Sequence, residues 1–314
     1  MTVAKQTTLR ERVTLAGAGV HSNAPVSIVI QPAPINTGIV FLRTGLAGGG
    51  ERIIEARWDK VSMTELCTVI GRKDDATVAT IEHLLAAFSG LGVDNATVEI
   101  DGPETPIMDG SSAAFVEAID QVGLVRQAAA RRYIKVLKPV RVEHGGAFSE
   151  LRPATSGLSL DVEIDFAAGV IGRQQKRVDL TPDVFRRELS RARTFGFLRD
   201  VERLTKAGFA LGASLENTVA LDGERVLNPE GLRYPDEFVR HKMLDAVGDL
   251  ALAGLPLIAR YKSFRGGHKM NVSVLEALFA DRSAFAVIDA QPRREAARAE
   301  AGFGLRPAMY SEAN

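Results

Sequence analysis

Two short segments of this chain contain the residue types of a hydrolytic metal centre. Glu82 directly precedes His83, and His241 lies four residues before Asp245. Residues four apart share one face of a helix, so the imidazole of His241 and the carboxylate of Asp245 could occupy two corners of a tetrahedral zinc site. The same spacing also fits a His–Asp pair on a helix surface, which would stabilise the helix only slightly.

The Glu82–His83 pair supports the metal hypothesis from a second segment. Neighbouring helix residues point about 100° apart, so we expect His83 to be a ligand and Glu82 to stand beside the metal as a general base. The apolar run from Leu84 to Phe88 predicts that this helix is buried. A buried glutamate and histidine need partners, because unpaired buried charge is costly. A core pair whose members satisfy each other is the alternative.

His268 is a third candidate, and it follows two glycines that come directly after Arg265. Glycines let the backbone approach a ligand closely, a histidine there could act as a general acid, and a nearby arginine suits phosphate. An ordinary exposed loop has the same composition. Lys242 is similarly either a phosphate contact or a solvated lysine. His144 is expected to be an exposed turn residue without a role.

Two further features, the glycine-containing run at residues 17–22 and Cys67, are given no catalytic or binding role on the basis of their residues. The run Gly17-Ala-Gly-Val-His-Ser resembles the start of a dinucleotide-binding loop, but the third glycine and a following βαβ unit are missing. We therefore reject dinucleotide binding, and His21 is left without an assigned role. Cys67 is the single cysteine and sits among apolar residues, so we expect a buried side chain rather than a reactive thiol.

The elements that would position these residues can be predicted from periodicity and turn signals. Strands are expected within residues 8–45 and at 95–101, 133–137, 140–143 and 158–166. Helices are expected at 79–90, from Ser111 or Ser112 to Ile119, and at 182–191, 236–253 and 272–280. Strands and helices mix without regular βαβ alternation, which favours an α+β fold over a doubly wound sheet.

Composition narrows the class of protein. The 314 residues are 46% hydrophobic and 25% charged with a formal net charge of zero, as in a globular protein with one large or two medium domains. Dispersed basic residues argue against nucleic-acid binding. The sequence shows no signal peptide and no run long enough to span a membrane. With a single cysteine, no internal disulfide can form, and we expect a cytoplasmic location.

Taken together, several longer runs resemble the family of UDP-3-O-acyl-N-acetylglucosamine deacetylases, the zinc amidases of early lipid A biosynthesis. The matching runs occur in the family's order over about residues 8–280. They are Gly17-Ala-Gly-Val-His-Ser, Asn36-Thr-Gly-Ile, Thr80-Ile-Glu-His-Leu-Leu-Ala-Ala, Gly92-Val-Asp-Asn-Ala, Pro106-Ile-Met-Asp-Gly-Ser, Arg193-Thr-Phe-Gly-Phe, Asp236-Glu-Phe-Val-Arg-His-Lys-Met-Leu-Asp-Ala-Val-Gly-Asp-Leu and Gly267-His-Lys-Met-Asn.

The resemblance implies two similar two-layer α/β-sandwich domains with the active site between them. We place these domains at residues 1–127 and 128–290, followed by a tail at 291–314 that is expected to be loosely attached or a frayed helix. The implied activity is zinc-dependent removal of the N-acetyl group from a UDP-linked acylated glucosamine, giving a free amine and acetate. A zinc hydrolase of another acylated sugar nucleotide and a non-catalytic glycolipid-binding relative are the alternatives. A monomer with possible peripheral membrane contact is expected.

The resemblance also implies a role for individual residues. Zinc would be held by His83, His241 and Asp245. Glu82 would be the general base, His268 the general acid, Asp249 the residue that orients that histidine, and Thr194 an oxyanion donor. The substrate-binding residues would be Lys242, Arg265, Phe195, Phe197, Asp200, Val201, Ala213, Ser214 and Leu215.

Overall fold

The computed structural model describes residues 3–46 and 48–290. The tail predicted from Gln291 onward therefore lies outside the described residues. The first part of the chain contains these strands: β1 Lys5–Leu9, β2 Val13–Ala18, β3 Pro25–Pro32, β4 Ile39–Arg43, β5 Arg52–Glu55, β6 Val61–Met63, β7 Val69–Arg72, β8 Ala76–Val78, β9 Ala96–Ile100 and β10 Leu124–Ala130. Helices α1 and α2 span Glu82–Leu91 and Ala113–Val122.

A five-stranded sheet in the order β2-β3-β9-β4-β5 forms the base of this part. Its strands alternate between buried and partly exposed residues, as in β3 and β9, so one face packs against helices. The apolar run from Leu84 to Phe88 is fully buried in α1. Gly92 ends that helix in the left-handed conformation with φ of 80°, a helix C-cap that favours glycine.

The second part of the chain repeats a sheet and a helix layer. Its strands are β11 Arg132–Val136, β12 Val140–His144, β13 Ala147–Pro153, β14 Leu158–Asp165, β15 Arg173–Asp179, β16 Phe195–Phe197, β17 Val219–Asp222, β18 Arg225–Val226, β19 Leu257–Phe264 and β20 Phe285–Asp289. Its α-helices are α3 Pro182–Val184, α4 Leu198–Lys206, α5 Glu237–Ala251 and α6 His268–Ala280. A seven-stranded sheet contains β11 to β15, β19 and β20. Helix α5 packs on β14 and β15, and α6 packs on β12 and β13.

Helices α1 and α5 pack directly against each other, which joins the two parts of the chain at the core. Gly248 of α5 makes this possible, because a Cβ atom there would lie 2.0 Å from the carbonyl oxygen of Glu82. A side chain at position 248 would push the helices apart. The close crossing places the first turn of α1 beside the middle of α5, where the candidate ligands lie.

The α+β fold class is confirmed, and the predicted elements are mostly found within a few residues of their expected bounds. Two local details of the predicted helices differ, and the expected domain boundary stays untested. The helix expected at 182–191 is a short α-helix followed by a π-helix over Phe185–Leu189. Ser112 occupies the N-cap position of α2 as predicted, but its hydroxyl makes no capping bond and donates to the His83 carbonyl oxygen. The expected boundary between residues 127 and 128 falls inside strand β10, which pairs with β1, so the division into two domains stays a prediction.

The largest difference concerns His268. The sequence predicts this histidine on a glycine loop before a helix at 272–280, but α6 begins at His268 itself. Gly267 is extended with φ of −163°, and its carbonyl oxygen accepts the first helical bond from Asn271. The two glycines therefore belong to the short connection between β19 and α6, and the His268 imidazole extends from the first turn of α6.

Candidate active site

Three potential metal ligands meet where α1 crosses α5. His83 comes from α1, and His241 and Asp245 come from one face of α5. Their ligand atoms all lie within 4.8 Å of one another. Asp245 Oδ1 is 3.5 Å from His83 Nε2 and 3.3 Å from His241 Nε2, and all three side chains are buried. The i, i+4 spacing predicted this shared face for His241 and Asp245.

The protonation states of this cluster suit metal binding. Burial lowers the pKa of His241 to about 3, although Asp245 opposes the shift. Burial alone would raise the pKa of Asp245, but His241 and Lys242 outweigh it and hold that pKa well below its usual range. A neutral imidazole and an ionised carboxylate are the forms that coordinate a metal ion.

Unpaired buried atoms give an independent test of whether the cluster fits a metal ion. Asp245 Oδ1 and His83 Nδ1 are buried without a hydrogen-bond partner among the described residues. An ionised carboxylate oxygen without a partner is costly in a protein interior. A cation between the three ligand groups would remove that cost, so the residues fit a metal ion.

Neighbouring groups orient the ligands. His241 Nδ1 lies 3.1 Å from the Ala192 carbonyl oxygen. A bond from Nδ1–H to this carbonyl leaves the lone pair of Nε2 directed at the cluster, as is usual for metal-binding histidines. Lys242 Nζ donates to Asp245 Oδ2 over 2.8 Å. Burial alone would lower the pKa of Lys242, but Asp245 outweighs burial and raises that pKa above its usual value. Lys242 is therefore a paired cation beside the cluster, and not a solvated lysine.

A second buried group lies beside the ligand cluster. His268 Nδ1 is 2.9 Å from Asp249 Oδ2, and His268 Nε2 is 3.8 Å from Glu82 Oε1. Asp249 follows Asp245 by one helical turn on α5. An imidazole thus stands between two carboxylates, and one of them, Glu82, directly precedes the candidate ligand His83 in the chain.

Glu82 and His268, two members of this group, have opposite protonation preferences. Burial raises the pKa of Glu82, although His268 and His83 oppose it. Burial lowers the pKa of His268, but Asp249 and Glu82 outweigh it and raise that pKa to about 9. At neutral pH, His268 is cationic and able to donate a proton. A carboxylate with a raised pKa is suited to accepting one.

Two residues of this network had no assigned role in the sequence. Thr68 donates from its backbone N–H to Glu82 Oε2 over 3.1 Å and from its hydroxyl to Asp249 Oδ1 over 2.6 Å. Asn271 donates to Asp249 Oδ2 over 2.8 Å. Asn271 lies in the Gly267-His-Lys-Met-Asn run, but only the folded chain brings either residue to these carboxylates.

Thr194 and Phe195 lie on the segment that follows Ala192, whose carbonyl oxygen contacts His241 Nδ1. The segment is held by the buried pair of Arg193 and Glu237, whose Nε and Oε1 atoms are 3.0 Å apart. The Thr194 backbone N–H donates to the Gly110 carbonyl oxygen over 2.8 Å. The Phe195 ring is 6.2 Å from the His241 ring, and Phe195 is partly exposed.

Lys242 and Arg265 share a cavity of about 310 Å³, which also has Ile164, Asp165, Phe166, Ala167 and Gly266 in its wall. Phe166 contacts the rings of Phe195 and Phe197 at centroid distances of 5.7 and 6.5 Å. Lys242 and Phe195 therefore lie next to the ligand cluster, and the cavity and Phe166 connect them to Arg265 and Phe197. A larger cavity of about 500 Å³ opens towards the C-terminal ends of α1 and α5, and no candidate metal ligand lines it.

The remaining predicted substrate residues lie on an exposed segment. Asp200 pairs with Arg203 at 3.5 Å within α4, and Val201 and Leu215 are exposed apolar side chains. Ala213 and Ser214 are exposed as well. The segment is tied to the loop after β2, because the backbone N–H of Leu211 donates to the His21 carbonyl oxygen over 3.2 Å.

The other singled-out residues are in three different settings. His144 is exposed at the end of β12, as expected. Cys67 is buried, and burial raises the pKa of its thiol, so the prediction of a buried cysteine is confirmed. His21 Nδ1 accepts from the Ala210 backbone N–H over 3.3 Å.

An α+β protein whose buried His–His–Asp cluster adjoins a carboxylate and a cationic imidazole has the side chains of a metal-dependent hydrolase. Residues 6–280 match the family model described as UDP-3-O-acyl N-acetylglycosamine deacetylase (LpxC). The chain is similar to curated proteins called UDP-3-O-acyl-N-acetylglucosamine deacetylase from Brucella ovis, Brucella canis and Brucella melitensis biotype 2. Each is 51% identical over 288 residues, which cover 91% of this chain and 99% of the relative. The chain therefore belongs to the UDP-3-O-acyl N-acetylglycosamine deacetylase family.

Proposed function

We propose that this enzyme hydrolyses the N-acetyl group of UDP-3-O-(3-hydroxyacyl)-N-acetylglucosamine, giving the free amine and acetate in the committed step of lipid A biosynthesis. One observation carries the proposal: the cluster of His83, His241 and Asp245 stands directly beside the Glu82–His268 pair. The names of the relatives, at 51% identity, support the substrate.

The cofactor in this proposal is zinc, held by His83, His241 and Asp245. Two imidazoles and one carboxylate are a usual ligand set for catalytic zinc and leave a position open for water or substrate. When bound, zinc supplies a Lewis acid for the acetyl carbonyl group and lowers the pKa of its water ligand towards ~7.

Glu82 and His268 divide the proton transfers. Glu82 accepts the proton of the attacking water, since its carboxylate lies beside the cluster and its pKa is raised by burial. His268 donates a proton to the departing amine, because Asp249 and Glu82 keep its imidazole cationic near neutral pH. A base and an acid of different type can hold the required protonation states at the same pH.

Two further residues assist these transfers. Asp249 holds the His268 ring through the 2.9 Å contact with Nδ1, which leaves Nε2 directed towards Glu82 and the cluster. The Thr194 hydroxyl is proposed to donate to the oxyanion that develops on the acetyl group. A donor fixed before the reaction lowers the barrier, because it needs no reorganisation as charge develops.

The proposed substrate-binding residues contact different parts of the substrate, from the charged diphosphate to the apolar acyl chain. Lys242 and Arg265 would contact the diphosphate from the cavity that they share. Phe195, Phe197 and Asp200 would contact the sugar nucleotide. The acyl chain would follow the exposed segment with Val201, Ala213, Ser214 and Leu215. Each methylene buried there contributes about 0.8 kcal/mol, so the enzyme should discriminate acyl chain length.

The cellular setting completes the proposal. We place the enzyme in the cytoplasm as a monomer that has no nucleic-acid partner and can contact a membrane peripherally. Within residues 3–46 and 48–290, no helix combines the length and apolar character needed to cross a membrane. Neutral net charge with dispersed basic residues supports the absence of a nucleic-acid partner.

A panel of acetylated sugar nucleotides tests this proposal. We expect acetate release from UDP-3-O-acyl-N-acetylglucosamine, with one free amine for each acetate, and much slower release from UDP-N-acetylglucosamine without the acyl chain. Faster release from a different acylated sugar nucleotide would instead make this chain a zinc hydrolase of that substrate. A zinc-loaded chain that binds the glycolipid without turnover would be a non-catalytic relative.

A further inference from the structure

Glu104 is a buried carboxylate that has no part in the reaction described above. Its side chain lies in the loop after β9, and the residue is 2% exposed. Oε1 accepts from the Thr80 hydroxyl over 2.8 Å and from the His21 backbone N–H over 3.0 Å. Oε2 accepts from the backbone N–H of Ser22 over 2.9 Å and from the Ser22 hydroxyl over 2.7 Å.

The Thr80 bond matters because of the backbone conformation at that residue. Thr80 has φ of +57°, in the left-handed region that β-branched residues rarely enter. Such a conformation persists only when surrounding contacts hold it, and it is typical of functional sites. The Glu104 carboxylate holds the Thr80 hydroxyl, and the Thr105 hydroxyl donates to the Thr80 carbonyl oxygen.

The strained residue stands immediately before the catalytic helix. Thr80 precedes Glu82 by two residues, and Glu82 is the first residue of α1. The segment between them is anchored to Thr68, because the Ile81 N–H donates to the Thr68 carbonyl oxygen. The turn at Thr80 therefore sets the direction in which α1 begins, and with it the positions of Glu82 and His83.

The loop after β2 packs closely against the Glu104 carboxylate. A Cβ atom at Gly19 would lie 2.1 Å from Glu104 Oε2, so the Gly17-Ala-Gly-Val-His-Ser run closes tightly around the carboxylate. This run also carries the backbone N–H groups of His21 and Ser22 that Glu104 accepts. One buried side chain thus joins the loop after β2 to the turn before α1.

We propose that Glu104 is a positioning residue for the deacetylation reaction: it holds Thr80 in its left-handed conformation, so that Glu82 is presented to the metal cluster in reactive geometry. The inference rests on the proposed function, because its readout is turnover. A displacement of catalytic groups by about 1 Å can cost a factor of about 100 in rate. The hydrogen bonds that Glu104 accepts from Thr80, His21 and Ser22 are called the clamp below. Loss of the clamp should therefore appear mainly in kcat.

Glu104→Ala and Thr80→Val are the first two variants. Alanine removes the whole clamp, and valine removes only the Thr80 hydroxyl while keeping a β-branched side chain in the left-handed region. We expect both to retain zinc and to lose kcat about 10-fold or more, with a smaller change in KM. Glu99→Ala, on the neighbouring strand β9, is the matched control and should keep wild-type kcat.

Thr80→Gly separates the conformational argument from a general loss of packing. Glycine adopts φ of +57° without steric cost, so it should not need the clamp. The double variant Glu104→Ala/Thr80→Gly should recover at least about threefold in kcat over Glu104→Ala alone, and Thr80→Gly should exceed Thr80→Val.

Three results would overturn the inference. They are unchanged kcat in both single variants, a loss confined to KM, and a double variant no more active than Glu104→Ala. If Glu104→Ala does not fold, Thr80→Val against Thr80→Gly still decides the question. A wild-type enzyme that releases no acetate would instead contradict the proposed function itself.

Discussion

At the scale of single residues, Glu82 and His268 need opposite protonation states at the same pH. Burial raises the pKa of Glu82, whereas Asp249 and Glu82 overcome burial and raise the pKa of His268 to about 9. The proposed base is therefore ionised above its raised pKa, and the proposed acid is protonated below about pH 9. Activity should be highest between these two limits.

Replacing His268 tests the basic limit. In the wild type, activity should fall as pH rises through about 9, because His268 loses the proton that it must donate. His268→Ala should lower kcat/KM about 100-fold or more and remove this decline from the pH profile of the residual activity. A basic limb that survives unchanged in the variant would exclude His268 as the acid.

Replacing His241 tests the metal ligands without reference to turnover. His241→Ala removes one of three ligand atoms within 4.8 Å of one another, so purified protein should lose stoichiometric zinc while its circular dichroism spectrum stays native. His144→Ala, at an exposed histidine, should keep full zinc content. A folded His241→Ala protein with wild-type zinc content would refute the ligand assignment.

At the scale of elements, the site depends on how closely α1 and α5 approach. The backbone of α5 at Gly248 lies against the Glu82 carbonyl oxygen, and this contact brings His83 to the candidate ligands His241 and Asp245 of α5. The packing of the two helices thus determines the geometry of the candidate site, to which both helices contribute.

Gly248→Ala tests that dependence. The added Cβ atom would lie 2.0 Å from the Glu82 carbonyl oxygen, so the helices must separate. We expect a loss of about 1–3 kcal/mol in the free energy of unfolding, measured by urea denaturation, together with faster zinc loss to a chelator. Gly48→Ala, where a Cβ atom has no neighbour within 4 Å, should change neither quantity. Wild-type zinc retention in Gly248→Ala would show that the crossing does not control the site.

The sequence predicted the helices but not their contacts. Periodicity and apolar runs located α1 and α5 and placed His241 and Asp245 on one face, because these signals are local. The start of α6 at His268 was missed, since the preceding glycines indicate a loop. The contacts of Thr68 and Asn271 with Asp249 join segments far apart in the chain, so no local pattern could predict them.

At the scale of the whole molecule, contacts between the two predicted domains connect the candidate site to the rest of the fold. Asp109, in the first, lies 2.7 Å from Arg233, in the second. Burial would raise the pKa of Asp109, but hydrogen bonds from Ser111 and Arg233 lower it. Gly110, the next residue, accepts the backbone N–H of Thr194. The turn at Asp109 and Gly110 therefore contacts both Arg233 of the second predicted domain and the backbone of Thr194, the proposed oxyanion donor.

Asp109→Asn tests this connection. The pKa of the Asp109 carboxyl group is lower in the folded protein than in the unfolded chain. The group therefore stabilises the fold at pH values above the pKa of the unfolded chain, and this stabilisation is lost as the pH falls through the pKa of the folded protein. The variant should lose about 1 kcal/mol of unfolding free energy at pH 7, and the difference should shrink below about pH 4. Urea denaturation at several pH values measures both. Asp74→Asn, at an exposed pair, should match the wild type, and a pH-independent difference at Asp109 would contradict the account.

Zinc content and acetate release, measured on the same preparations of wild type and Glu82→Ala, test the central claim most directly. We expect one zinc per chain in both proteins and acetate release from UDP-3-O-acyl-N-acetylglucosamine by the wild type. Glu82→Ala should lose most turnover, by about 100-fold or more, while keeping its zinc. Near-normal turnover in Glu82→Ala, or a zinc-replete wild type that releases no acetate, would contradict the account.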